Sequence, residues 1–335
     1  MLSVLRALQR EIGGAGPLTA MLADPLVTDV LVNGCDDVWI DRGDGLERVA
    51  IRFADDAAVR RLAVRLLAAT GRRLDDAQPW VDARLADGTR LHAILAPIAS
   101  GGTCLSLRVP RRRAFTLPEL VEAGTVPPSG AELLRRLVTS RQAFLISGGT
   151  GTGKTTLLSA LLSLTHRQRL LLVEDSGELQ PDVEHVVRLE ARPPNVEGAG
   201  GVTLRDLVRN ALRMRPDRLV VGEVRGAEVV DLMAALNTGH EGGCGTVHAN
   251  SAVDVPARLE ALATVAGVGR EALHSQLASA LRVVVHLVRD ERRRVAEICV
   301  LRRDGPWVVA IPAWTWDGQG DPVAAVGAAE LERLL

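Results

Sequence analysis

One eight-residue segment restricts this 335-residue chain more than any other part of its sequence. It reads Gly-Gly-Thr-Gly-Thr-Gly-Lys-Thr over residues 148–155 and matches the pattern G-x-x-x-x-G-K-[ST] at every fixed position. A buried-strand pattern over 143–147 precedes it and a helical pattern over 154–164 follows it, which distinguishes a phosphate-binding loop from a chance glycine-rich turn. Such a loop closes its backbone N–H groups around phosphates at a helix N-terminus. The segment therefore predicts an α/β core that binds a nucleotide.

The only lysine of the chain lies in this segment. Lys and Arg together number 40, and Lys154 is the single lysine among them. A compact ammonium group suits the space between the β- and γ-phosphates, where a planar guanidinium does not fit. We therefore predict that Lys154 contacts these phosphates and that the Thr155 hydroxyl binds Mg²⁺. The predicted nucleotide contacts of the loop are Gly148, Gly149, Thr150, Gly151, Thr152, Gly153, Lys154, Thr155 and Thr156.

The composition is typical of a globular protein with an aliphatic core. Hydrophobic residues make up 47% and charged residues 24% of a chain long enough for two domains. A net charge of −1 gives no general attraction to nucleic acid or to anionic lipid. No apolar run approaches the roughly 18 residues needed to cross a bilayer, and the first 16 residues lack a signal-peptide pattern. The four cysteines are far apart, which suits reduced thiols.

The patterning divides the chain into two domains. Residues 1–110 predict a mixed α/β domain with four short strands and one amphipathic helix over 55–71. Residues 111–130 predict a linker that includes a helix over 117–123 and a break at Pro127 and Pro128. Strand–helix alternation over 131–335 predicts a RecA-like nucleotide-binding core whose active edge is formed by the C-terminal ends of its strands.

Acidic residues end two of the predicted core strands. The apolar strand over 219–223 ends in Glu223, the Walker B pattern, and Gly222 stands where many nucleotidases carry an Mg²⁺-holding aspartate. Glu174 and Asp175 follow a second apolar strand. Acids on neighbouring strand ends can have separate roles, so that one is held near Mg²⁺ and the other polarises the attacking water. The sequence leaves open whether Glu174 or Glu223 activates water, and whether Glu174 and Asp175 only cap a loop.

Two histidines flank a glycine-rich segment around Cys244. The spacing of His240, Cys244 and His248 would suit zinc on a helix, but four glycines within 238–250 argue against a helix, and no fourth ligand is nearby. We expect both histidines to be polar sensors of the phosphates. A core histidine is the alternative for either one.

These segments together resemble the type II/IV secretion ATPase superfamily, and within it most closely the tight-adherence (Flp) pilus ATPases. The resemblance covers roughly residues 15–300, including part of the N-terminal domain. It implies a RecA-like P-loop NTPase core with a smaller N-terminal α/β domain of PAS-like type, ATP as the nucleotide, and Mg²⁺. The residues that carry the resemblance lie in segments 148–156, 173–175, 212–226 and 237–250 of the core, and in 81–90 and 105–108 before it.

The resemblance also implies residue roles. Arg90 and Arg108 fall on N-terminal arginines that reach the nucleotide at a domain or subunit interface, although in an arginine-rich chain either one is also compatible with a surface or sheet-edge position. The implied catalytic residues are Glu174, Glu223, Lys154, His248, Arg90 and Arg108. The implied metal contacts are Thr155, Glu223 and Asp175, and His240 is an implied nucleotide contact.

Proteins of this superfamily form homo-hexameric rings on the cytoplasmic face of the inner membrane. The resemblance implies that the chain works there with a membrane platform protein and drives pilin or substrate movement by ATP-powered domain rotation. A DNA translocase on the same core is an alternative, favoured by arginine runs at 111–113 and 292–294 but opposed by the near-neutral charge and the lack of interleaved aromatics. Nucleic acid is therefore not the expected partner. A non-catalytic scaffold is a third alternative, opposed by the intact Lys154 and Glu223.

Overall fold

The computed structural model describes residues 14–43, 45–110, 114–192, 194 and 199–335. The chain forms two compact units, Met1–Arg112 and Arg113–Leu335. In the described part of the chain, no helix combines the length and apolar character that crossing a membrane requires.

The first unit is built on a six-stranded antiparallel sheet with the order β3-β2-β1-β6-β5-β4. Its main helix begins where the Asp55 carboxylate accepts a hydrogen bond from the N–H of Ala58 at 2.6 Å. The apolar face of this helix packs on the sheet to form one core. The elements are β1 (Asp29–Asn33), β2 (Val38–Asp41), β3 (Leu46–Val49), β4 (Trp80–Arg84), β5 (Arg90–Ile94), β6 (Cys104–Arg108), and helices α1 (Thr19–Ala23) and α2 (Asp56–Leu67).

The second unit contains a nine-stranded sheet with the order β15-β14-β13-β12-β7-β11-β10-β8-β9. The six strands from β12 to β9 are parallel, and β13 to β15 extend the sheet antiparallel. The strands are β7 (Phe144–Gly148), β8 (Leu170–Glu174), β9 (Val186–Glu190), β10 (Arg218–Val224), β11 (Cys244–Val247), β12 (Val283–Arg289), β13 (Arg293–Asp304), β14 (Trp307–Thr315) and β15 (Val323–Ala324). The helices are α3 (Leu117–Glu122), α4 (Pro128–Thr139), α5 (Lys154–Leu162), α6 (Leu204–Ala211), α7 (Glu228–Leu236), α8 (Val255–Val265), α9 (Arg270–Ala280) and α10 (Ala328–Leu334).

Alternate residues of the central strands face two separate apolar clusters. In β7, for example, Leu145 belongs to one cluster and Ile146 to the other. Helices α6 to α9 contribute to the first cluster, and α3, α4, α5 and α10 contribute to the second. A parallel sheet with helices on both faces is buried on both sides, which explains why these strands are continuously apolar. The predicted RecA-like α/β fold is confirmed.

The region predicted as a linker contains ordered core elements. A reciprocal capping box between Thr116 and Glu119 starts α3, and Leu117, Leu120 and Val126 are buried in the second unit. Helix α4, which was not predicted from the sequence, begins at Pro128 because proline suits the first turn of a helix. Trp314 is buried against Gly130 of α4, where an added Cβ would lie 2.8 Å from the indole ring. The tryptophan therefore belongs to the core.

Candidate nucleotide site

The phosphate loop runs from the end of β7 to the start of α5, as the sequence predicts. Gly148 has φ 150°, and a Cβ there would lie 2.4 Å from the carbonyl oxygen of Leu287 on β12. Gly151 and Gly153 have φ values of 72° and 97°, in the left-handed region that favours glycine. The close approach of β12 therefore explains the glycine at position 148, and the sharp loop turns explain the glycines at positions 151 and 153. Thr155 and Thr156 lie half-buried in the first turn of α5.

Lys154 lies across the loop that precedes it. Its Nζ donates to the carbonyl oxygens of Gly148 at 3.0 Å and Gly149 at 2.7 Å, and lies 3.4 Å from His248 Nε2. The side chain is 7% exposed, and this burial lowers the pKa of Lys154, while the carboxylates of Glu223 and Glu178 act in the opposite direction. The ammonium group is thus held at the C-terminal edge of the sheet, where an α/β fold places its ligands.

The Glu223 side chain extends from β10 to His248, which also contacts Lys154. Its Oε1 lies 3.1 Å from His248 Nε2, so the imidazole contacts both the carboxylate and the Lys154 ammonium. Burial lowers the pKa of His248, and the positive charge of Lys154 adds to this effect. A neutral imidazole protonated on Nε2 donates its hydrogen to Glu223. The three predicted residues Lys154, His248 and Glu223 therefore form one contiguous polar chain.

Glu174 is buried one strand further along the sheet. Its Oε1 accepts hydrogen bonds from the backbone N–H groups of Glu178 at 2.9 Å and Leu179 at 3.0 Å, while its Oε2 is buried without a partner among the described residues. Burial raises the pKa of Glu174 to about 7, although the two N–H donors oppose this shift. The carboxyl group therefore fixes the loop that follows β8.

The contact between Glu174 and β10 explains the glycine at position 222. A Cβ at Gly222 would lie 2.6 Å from Glu174 Cγ, closer than real side chains approach. The glycine is therefore required by the neighbouring carboxylate, a reason that the sequence pattern alone did not supply.

We predict that Gly222→Ala displaces Glu174 and lowers the rate of ATP hydrolysis about tenfold or more. Overpacking of this kind costs about 1–3 kcal/mol of stability. A double-mutant cycle with Glu174→Ala, scored by hydrolysis rate and urea unfolding, checks the cause. The added methyl group should cost little in the Glu174→Ala background. Equal costs in both backgrounds would show that the glycine is needed for another reason.

The loop after β8 supplies one further acid that the sequence analysis missed. Glu178 lies on this loop, and its carboxylate raises the pKa of Lys154, which places the two charges near each other. Asp175 forms an ion pair with Arg225, and its predicted contact with the metal stays a prediction. An acid four residues beyond Glu174, within the same strand-end loop, was the available signal for Glu178.

His240 lies at the opposite edge of the sheet. It precedes β11, whose first residue pairs with Phe144 at the start of β7, whereas His248 follows β11 at the phosphate-loop end. Its Nδ1 lies 3.3 Å from the carbonyl oxygen of Ala235. The structure places His240 at the end of the strands opposite the phosphate loop, and its expected contact with a nucleotide stays a prediction. Because β11 is extended, it also separates His240, Cys244 and His248 along the strand direction instead of gathering them as zinc ligands.

Arg90 and Arg108 lie together in the first unit. They are directly paired across β5 and β6, and Arg84 of β4 continues the same row. Like charges placed directly opposite one another are destabilising in an antiparallel sheet. On its other side Arg108 pairs with Asp29 of β1, and the predicted nucleotide role of Arg90 and Arg108 stays a prediction.

An arginine of the 292–294 run contacts the phosphate loop. Arg293 Nε donates to the carbonyl oxygen of Gly151 at 2.8 Å. Arg289, its partner across the β12–β13 hairpin, has Nη1 3.2 Å from the position of a Cβ on Gly151. The sequence indicated this run only as a candidate nucleic-acid contact, because in a chain with one lysine the arginines carry little positional information.

A cavity of about 410 Å³ opens beside the loop. It is lined by Gly149, His248 and residues of the segment 249–258. Its volume lies within the usual range of small-ligand sites. Mg²⁺ prefers hard oxygen ligands and usually binds one or two protein groups together with substrate phosphates and water. The Thr155 hydroxyl and the Glu223 carboxylate are oxygen donors of that kind, so the donor chemistry fits this ion.

Comparison with known proteins shows the family of the chain. Residues 11–308 match the family described as type II/IV secretion system protein. A putative conjugal transfer protein of Mycobacterium tuberculosis (strain H37Rv) is 56% identical, covering 97% of this chain and 96% of that protein. The conjugal transfer protein TrbB of Rhizobium radiobacter is 31% identical, over 88% and 89% of the two chains. The crystal structure of the pilus retraction motor PilT with bound ADP is 18% identical with a TM-score of 0.58, over 94% of this chain and 83% of that one. On the family match and these identities, the chain belongs to the type II/IV secretion system protein family.

Proposed function

We propose that this chain is an Mg²⁺-dependent ATPase that powers a type II/IV secretion machine. The observation that carries the proposal is the polar chain at the phosphate-loop edge, in which His248 Nε2 lies 3.4 Å from Lys154 Nζ and 3.1 Å from Glu223 Oε1. A cation for phosphate and a carboxylate for water thus both approach the same imidazole nitrogen. Family membership supports the same function.

We assign the activation of water to Glu223. Its carboxylate lies beside the residue that binds the terminal phosphates, whereas Glu174 is directed to backbone N–H groups. In hydrolysis, water attacks the γ-phosphorus, the bond from phosphorus to the β–γ bridging oxygen breaks, and Glu223 accepts the proton of the water. Lys154 and the loop N–H groups stabilise the negative charge on the phosphate oxygens. Bound Mg²⁺, held by Thr155, would neutralise part of that charge.

The proposed assembly is a homo-hexameric ring, peripheral to the cytoplasmic face of the cell membrane and docked on a membrane platform protein. Arg90 and Arg108 supply the interfacial cations in this proposal. An arginine that enters only when a site closes can contribute about 10³–10⁵ in rate, which would link hydrolysis to the rotation of domains. The paired placement of the two arginines on β5 and β6 supports a shared role.

The cargo defines two candidate functions. The motif resemblance favours assembly of a tight-adherence pilus. The two relatives named as conjugal transfer proteins favour a motor of a conjugation-related secretion system. We favour a motor that moves pilin or another protein over one that moves DNA, since the net charge of −1 gives no general attraction to DNA.

We predict that hydrolysis of ATP requires Mg²⁺ and that the rate per chain rises with protein concentration as rings form. The measurement is steady-state phosphate release across a concentration series, with mass determined by light scattering in the same samples. Lys154→Ala should abolish both nucleotide binding and hydrolysis, because the Lys154 ammonium group is the proposed contact of the β- and γ-phosphates. The chain has no second lysine that could replace it.

Three outcomes would contradict parts of this proposal. Nucleotide binding without turnover by the wild type would indicate a scaffold. A monomer that hydrolyses ATP at a constant rate per chain would exclude the ring mechanism. Strong stimulation by single-stranded DNA would favour a DNA translocase over a pilus or protein-secretion motor.

A further inference from the structure

Arg258 is a cation of the phosphate-loop cavity that none of the recognised motifs includes. It lies at the start of α8 and lines the cavity together with Gly149 and His248. Its charge lowers the pKa of His248, so the guanidinium and the imidazole are close enough to interact. Because His248 also contacts Lys154 Nζ, this end of the cavity is where the β- and γ-phosphates are expected.

Three other cations around the site already have partners. Lys154 donates to two loop carbonyl oxygens, Arg225 pairs with Asp175, and Arg293 donates to Gly151. Among the described residues, no hydrogen bond or ion pair is made by the Arg258 side chain, which is exposed to the cavity and solvent. The one acid on the cavity wall in that part of the chain, Asp254, accepts a hydrogen bond from Ser251 Oγ at 2.7 Å. The guanidinium is thus available to a ligand.

We propose that Arg258 binds the terminal phosphate of the nucleotide from within the same chain. The ligand class is a nucleoside triphosphate, and the proposal rests on the function proposed above. A guanidinium can donate two parallel hydrogen bonds to phosphate oxygens, which a loop backbone alone cannot supply at that end of the nucleotide. Arg258 would then distinguish triphosphate from diphosphate, since only the triphosphate carries the group that it contacts.

The test compares the binding of ATPγS and ADP, each with Mg²⁺, to wild type and Arg258→Ala. We expect affinity for ATPγS to fall at least about tenfold while affinity for ADP changes less than about twofold. The kcat for ATP should fall as well. Arg258→Lys should restore part of the ATPγS affinity, because it keeps the charge but not the paired donors. Arg282→Ala, an exposed arginine whose Nη1 donates to Ala278 on α9, is the matched control and should bind both nucleotides like wild type.

Equal losses for both nucleotides, or no loss for either, would overturn the proposal. Arg258→Gln provides a second variant if the alanine variant folds poorly, as judged by thermal unfolding, and the same selective loss is expected of it. The two proposals fail in different ways. A wild type that binds ATPγS but releases no phosphate contradicts the ATPase function, whereas a selective loss of ATPγS binding would still establish the contact of Arg258.

Discussion

Glu223→Gln is expected to lower ATP turnover by about 10²–10⁴-fold while ATP binding stays near the wild-type value. Glutamine keeps the size of the side chain and an oxygen that can accept from His248 Nε2, now 3.1 Å from the carboxylate. It cannot take a proton from water. The variant therefore separates the chemical step from assembly of the site.

The measurement pairs single-turnover hydrolysis with equilibrium binding of ATP. Glu271→Gln, at an exposed position on α9, is the control and should match wild type in both. Retention of more than about a tenth of the turnover by Glu223→Gln would contradict the assignment. Glu178, whose charge also acts on Lys154, would then be the next carboxylate to test.

The core fold was predictable because its signals are local and strong. The loop glycines, the apolar strands and the acids at their ends each follow from a short segment, and the parallel order brings the strand ends to one edge. The proximity of Lys154, Glu223 and His248 follows from that rule, since Lys154 begins the helix after the β7 loop, Glu223 lies near the end of β10 and His248 directly follows β11.

Other parts of the site depend on contacts that no short segment encodes. Arg258 lies on a helix beyond the His248 strand end, and only the packing of α8 brings it to the cavity. The position of His240 was not predictable either, because a motif does not reveal whether a loop precedes or follows its strand. In the sequence, Gly222 stands where many nucleotidases carry an acid. The structure shows that the missing side chain leaves space for Glu174.

Glu174 is expected to behave unlike Glu223 when its charge is removed. Glu174→Gln keeps an oxygen that accepts from the N–H groups of Glu178 and Leu179, so turnover should stay within about tenfold of wild type. Glu174→Ala loses these acceptors and leaves two buried donors unpaired, and we expect its turnover to fall about 10²-fold or more. A collapse of turnover in Glu174→Gln, comparable to that of Glu223→Gln, would show that Glu174 itself takes the proton.

The stability of the wild type relative to Glu174→Gln should depend on pH in a direction set by the raised pKa of Glu174. Burial raises this pKa from 4.5 to about 7, so as pH rises the unfolded chain loses the proton before the folded chain does. Wild-type stability is therefore expected to fall between pH 4.5 and about 7 and to stay lower above that range. Glutamine does not ionise, and Glu174→Gln should exceed wild type by up to about 3 kcal/mol at pH 8 but differ little at pH 5. Urea unfolding at the two pH values measures this difference. A variant that is no more stable at pH 8 would mean that the carboxylate has a cationic partner in the folded chain, and Glu174 would then contribute its charge to the site as well as holding the loop.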